Sequence, residues 1–143
     1  MRFKITLFIL SILTLNLSAQ EKYFKDKSQT QQFSKKISEL FQKNKIGEAF
    51  KELAPYWPIP QTEIESFEEK TIKYLNLIDD RFGKPIGILK IKDEVIGEIA
   101  VRETYLVRYK NSAIRLIFTY YKNDEGWILN AFKWDDSFEE EFK

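Results

Sequence analysis

Among the residue types this chain retains, Glu103 and Asn130 are the polar side chains that strand parity places beside apolar neighbours, where they could meet a ligand. With no histidine and no cysteine there is no Ser-His-Asp triad, no thiolate nucleophile and no ordinary structural zinc site. Proton transfer, if there is any, falls to Asp, Glu, Tyr, Lys, Arg or Ser. Glu103 stands between Val101 and Tyr105 on the apolar side of an alternating segment, and Asn130 between Ile128 and Phe132. A carboxyl group among aromatic rings has a raised pKa and can act as general acid or base, or hold a ligand's polar end. Buried unpaired carboxylates are rare, which favours a Glu103 near a sheet end, wet or paired with an arginine. No catalytic residue is assigned.

Arg102, Arg108 and Arg115 fall on the opposite side of the same segments, where they could form an anion or partner surface. Such residues more often make a solvated face or cross-strand ion pairs. Asp79-Asp80 and Asp135-Asp136 lack the spaced oxygen ligands of a calcium loop, so neither a metal nor a cofactor is expected.

Two kinds of element must position these side chains. Ser28 with Gln31 fits a capping box and predicts a helix carrying Phe33, Ile37, Leu40 and Phe41. The Asn44-Lys45-Ile46-Gly47 run predicts a break, followed by a short helix with Ala49, Phe50 and Leu53. Three prolines in residues 55–60 forbid helix and force an extended corner, under which Trp57 and Ile59 pack. Thr62 with Glu65 predicts the start of a long amphipathic helix whose stripe is Ile64, Phe67, Thr71, Tyr74, Leu75, Ile78 and Phe82. Its opposite side carries Glu65, Glu68, Glu69, Lys70 and Lys73, and Gly83 with Pro85 stops it. This helix is expected to lie across the sheet.

Residues 86–136 then read as four antiparallel strands. The expected turns are Asp93-Glu94, Asn111-Ser112 and residues 123–126. Parity places Ile99, Val101, Tyr105, Val107 and Tyr109, then Ile114, Leu116, Phe118 and Tyr120, on the helix side. The last strand is ambiguous. Trp127 and Leu129 compete with Ile128, Phe132 and Trp134, as a bulge or a partly covered outer face would produce. Phe138 and Phe142 suggest a final helical turn on the sheet. The fold class is α+β, with N-terminal helices packed on a curved antiparallel four-stranded meander in a single domain.

Residues 1–19 have the basic start, apolar core and small-residue end of a cleavable signal peptide cut after Ala19. The implied destination is the periplasm or the exterior, with no membrane attachment once the leader is removed. That removal takes two basic and no acidic residues, moving the charge from +1 to −1. Such a balance argues against nucleic acid as a partner. With no disulfides, stability must come from packing, for which 12 Phe, 7 Tyr and 3 Trp are the material.

The element order resembles the NTF2-like (cystatin-like α+β) superfamily, particularly small exported bacterial domains. The residues that carry the likeness are 45–50, 81–87 (Arg81-Phe82-Gly83-Lys84-Pro85-Ile86-Gly87), 117–121, Gly126-Trp127 and 132–136. The resemblance implies a cone between helices and concave sheet whose mouth holds a small apolar ligand, with Glu103, Tyr74, Tyr105, Tyr120, Asn130 and Trp134 as the residues to meet it. In the enzymes of that superfamily an acid/base Asp or His and a Tyr line the cone. Here there is no His, and no Asp falls on the inner strand face, so only Glu103 with Tyr74, Tyr105 and Tyr120 could stand in. The leading expectation is therefore a non-catalytic binding module for a small apolar ligand or a partner's side chain. Two alternatives stand behind it. One is an interaction domain dimerising through outer residues Leu106, Ile117, Tyr121 and Leu129. The other is an isomerase- or dehydratase-like enzyme using Glu103.

Overall fold

The computed structural model describes residues 22–143, so the leader and its cleavage after Ala19 lie outside the described residues. Helix α1 (Lys27–Gln42) starts one residue before Ser28, and its cap is Asp26. Asp26 is extended, and its Oδ1 accepts the Gln29 N–H at 2.9 Å while Gln29 Oε1 accepts the Lys25 N–H at 2.8 Å. Both Asp26-x-x-Gln29 and Ser28-x-x-Gln31 fit a cap pattern. The carboxylate adds an attraction to the helix N-terminus that a serine hydroxyl lacks. The far end closes as the sequence implies. Asn44 has φ 56°, the Lys45 N–H donates to Leu40 O at 2.9 Å and the Asn44 N–H to Phe41 O at 3.0 Å. These are the paired bonds of a Schellman motif.

Helix α2 (Ile46–Leu53) buries Ile46, Ala49, Phe50 and Leu53, with Gly47 inside it rather than at a cap. Pro55 sits in a 3-10 turn (Ala54–Tyr56), and only from Trp57 does the corner become extended. Trp57 is buried and Ile59 half-buried. Helix α3 (Gln61–Phe82) begins directly after Pro60 without a side-chain cap, so the Thr62–Glu65 box is unused.

Four strands follow in the order β1-β2-β3-β4: β1 (Pro85–Ile96), β2 (Ala100–Tyr109), β3 (Ala113–Lys122) and β4 (Trp127–Asp135). The first turn is not at Asp93-Glu94. There the chain continues as strand, and Glu94 accepts both guanidinium bonds of Arg102 at 2.7 and 2.8 Å. The reversal comes at Gly97, whose φ of 50° suits a tight turn. Ile99 consequently leaves the inner face and is exposed in that turn. In β4 one extra residue separates the Tyr120↔Leu129 pair from Thr119↔Ala131. That residue is Asn130, which is exposed. The bulge resolves the competing parities: Trp127 and Leu129 before it, and Phe132 and Trp134 after it, turn to the same side.

Helix α1, not α3, makes the close backbone approach to β1, β2 and β3. Its inward side is stepped with Thr30, Ser34 and Ser38 beside Phe33, Ile37 and Phe41, and short side chains let a helix come near a sheet. Helix α3 spans the gap with larger groups: Phe67 meets Phe132 at 6.0 Å and Phe82 meets Tyr109 at 6.0 Å. Phe132 collects the aromatic interior, touching Phe41, Phe50, Trp57 and Phe118 as well. On the far face a 3-10 turn (Phe138–Phe142) packs against β3, and Glu141 ion-pairs with Arg115 and Lys92. Among the described residues no helix is long and apolar enough to cross a membrane.

The segment before α1 is bound to β4 by reciprocal backbone bonds between Phe24 and Trp127, at 2.8 and 2.9 Å. Gly126 makes this possible: its φ is 149°, and a Cβ there would lie 2.6 Å from Phe24 O. Gly97 has open space around it. We expect Gly97→Ala to lower stability by about 1 kcal/mol, the left-handed backbone cost alone. Gly126→Ala should cost about 1–3 kcal/mol through added displacement of the Phe24 bridge. Urea denaturation of both variants checks the difference, and equal losses would contradict the assigned role of Gly126.

Candidate functional site

Glu103 lies in mid-strand on the inner side of β2, opposite Asp93 of β1 and Phe118 of β3, and is 0 % exposed. The expected wet position at a sheet end with an arginine partner is incorrect. Its partners are a lysine and a serine. Lys90 Nζ lies 3.4 Å from Oε1 and 2.7 Å from Asp93 Oδ2, while Ser34 Oγ donates to Oε2 at 3.1 Å. Oε1 has no well-formed hydrogen bond of its own, so the lysine attracts it without fully replacing water.

Ser34 also sits 2.6 Å from the Tyr120 hydroxyl. A hydroxyl has one proton to give. With Ser34 donating to Glu103, Tyr120 donates to Ser34, and Thr30 O at 3.3 Å is the weaker alternative for Tyr120. The relay from Tyr120 through Ser34 to Glu103 thus ties β3 and β2 to α1. Ser38 and Thr30 satisfy their hydroxyls on Ser34 O and Lys27 O within α1.

Burial raises the Glu103 pKa, and the nearby Lys90 charge and the Ser34 bond only partly oppose it. Burial likewise pushes the Tyr105 hydroxyl up to about 12 and the Tyr120 hydroxyl well above its ordinary value. Such a carboxyl has the electronic character of an acid/base group but not the access. The groove between α3 and β4 and three further hollows are lined by other side chains, and Glu103, Tyr105 and Tyr120 line none of these four. Phe118, stacked parallel to Tyr120 and edge-on to Tyr105, is fully buried on the side where the cone was expected.

The sequence-predicted site therefore divides. Tyr74 and Trp134 come together elsewhere, in a groove of about 340 Å³ between α3 and β4. Phe67, Thr71, Tyr74 and Ile78 form its helix wall, and Trp134 with Asp135 and Asp136 its strand wall. The Trp134 indole N–H donates to Thr71 Oγ1 at 3.0 Å, which fixes the ring as a wall. Tyr74, expected in the buried stripe, is 59 % exposed. A shallower hollow continues along α3 from the same Phe67 and Lys70 towards Thr62. Asn130, expected on the inner face, is outside on the bulge.

The arginines do not gather into one surface. Arg102 is held by Glu94. Arg115 grips Asp135 at 2.8 and 2.6 Å and Glu141 at 2.7 Å. Arg108 is exposed with no ion pair among the described residues. Burial works against the Asp135 charge, but the Arg115 bonds and the Ser137 N–H hold its pKa below the ordinary value. Asp136 ion-pairs with Arg81 at 3.7 Å. Among the described residues no group of three or more carboxylates is placed to hold a metal ion.

Sequence reasoning missed the partners of Glu103. The signal for Ser34 was present as Thr30, Ser34 and Ser38 at helical spacing beside an apolar stripe. Lys70, assigned to the solvent side of α3, is exposed as expected and also stands at the groove rim. Comparison of the chain with protein-family models, with curated proteins and with solved structures finds no match.

The raised pKa has a definite consequence for stability. A group whose folded pKa lies above its unfolded value of 4.5 binds more protons in the native state, so its contribution is complete below 4.5 and is lost as pH rises through the folded value. Glu103→Gln removes the buried charge while Lys90 keeps Asp93. We expect the stability of Glu103→Gln relative to wild type to improve steadily as pH rises from about 4 to neutral. Urea titrations at several pH values check this, and a pH-independent difference would contradict the raised pKa.

Proposed function

We propose that this chain is an exported, non-catalytic binding module of NTF2-like type whose ligand seat is the α3–β4 groove. The observation that carries the reading is the groove itself: about 340 Å³, walled by Phe67, Tyr74, Ile78 and Trp134, with a few fixed polar groups at its edge. That volume and lining match small-molecule seats in general. The candidate acid/base group points away from catalysis, because a general base must come within hydrogen-bond reach of the atom it deprotonates. Glu103 is enclosed by Ser34, Tyr120 and Lys90 instead. Export rests on the leader pattern of residues 1–19.

A second reading, self-association, draws support from a different place than the outer-face patch. Leu129 of that patch points inward, and Ile117 is buried on the strand that the C-terminal turn packs against. One group of exposed apolar side chains lies instead around the first hairpin, as Val95, Ile96 and Ile99 with Tyr121 beside Ile99.

The groove reading is tested with Nile red, an uncharged dye that brightens and shifts to the blue in apolar seats. Wild type should produce the shift. Tyr74→Ala, an exposed change expected to leave stability within about 0.5 kcal/mol, should weaken dye binding about ten-fold. No shift with wild type, or equal binding by the variant, would contradict the assignment.

A further inference from the structure

We propose that the groove selects amphipathic monoanions, with the apolar body lying between Tyr74 and Trp134 and the anionic head at Lys70. This rests on the groove being a ligand seat and goes beyond it by naming the ligand's charge. The argument is a charge inventory of the groove walls. Three charged residues line them, Lys70, Asp135 and Asp136, and Arg115 and Arg81 pair with the two carboxylates.

Asp135 is fully engaged. Both its oxygens take Arg115 guanidinium bonds, and Oδ1 also accepts the Ser137 N–H at 3.0 Å. Asp136 is paired more loosely, with Arg81 at 3.7 Å on the surface. Lys70 has no ion pair among the described residues. Its neighbours one helical turn away are Ser66, Phe67, Lys73 and Tyr74, none acidic and one a second cation. The nearest acid on the adjoining hollow is Glu63, two turns back at roughly 10 Å along the axis.

Arginines thus offset the two carboxylates, and Lys70 is left as the cation without an ion pair at one rim of a largely apolar groove. An amine on a flexible stem at such a rim can meet a carboxylate or another single anionic head without removing it from water. A cationic head would face Lys70 while finding only carboxylates already paired with arginines. The apolar walls exclude a small inorganic anion as the preferred ligand, since it would leave Phe67, Ile78 and Trp134 uncovered.

The test is isothermal titration of the full chain with two probes of equal length, octanoate and 1-octanol. Wild type should bind octanoate about two- to five-fold more tightly than octanol, the range of an exposed ion pair. Raising salt to about 0.5 M should shrink the preference. Lys70→Met should equalise the two probes by weakening octanoate alone, and Lys70→Glu should reverse their order. Octanol binding as well as octanoate would overturn the anion assignment and leave the groove standing, as would a preference that survives Lys70→Met. Failure of both probes to bind wild type would overturn the groove reading and the anion assignment together.

Discussion

Sealing the Glu103 carboxylate beneath α1 removes its hydration, and only what lies within a few ångströms can offset that loss. Lys90 from β1 attracts one oxygen, and Ser34 from α1 donates to the other. Both are needed because neither suffices, and burial still outweighs them in setting the pKa. The first helix is thereby pinned to the first two strands, and through the Tyr120 hydroxyl to the third. The small residues that permit this bond also bring α1 closer to the sheet than α3 can come.

With α1 down on the sheet, the concave side has little room left, and aromatic rings take it. Phe132 meets rings from α1, α2, the Pro-rich corner, α3 and β3, so it joins elements that share few backbone contacts. Its inward position depends on the Asn130 bulge, which resets the phase of β4 between Leu129 and Phe132. The same reset brings Trp134 to the helix side, where it closes against Thr71. One extra residue in an edge strand therefore both completes the packed interior and builds one wall of the groove beside it.

Much of this arrangement was legible in the residues. The alternation in residues 113–122 gives β3 its bounds and its inner face: Ile114, Leu116, Phe118 and Tyr120 are all fully buried, although Ile117 on the outer side is buried too. The Asn44 stop was equally readable, since a left-handed residue there fits Asn. The errors have specific physical origins. Asp93-Glu94 resembles a turn locally, but the cross-strand bonds to Arg102 hold it in strand and move the reversal to Gly97. Glu103 was read as wet because its compensation comes from Ser34, 69 positions earlier in the chain. The groove was illegible for a related reason. Tyr74 and Trp134 are apolar-stripe residues by spacing, and only the stand-off of α3 from the strands leaves space between them.

The central claim is that the interior under α1 is closed and filled, while ligand contact is confined to the face between α3 and β4. Its most direct test is a two-dimensional 1H–15N NMR titration of the full chain with octanoate. The account predicts shift changes at the Trp134 indole N–H and the Thr71 and Tyr74 amides, with Ser34, Glu103 and Tyr120 unmoved. Changes centred on Glu103 and Tyr120, with the Trp134 indole unaffected, would contradict it.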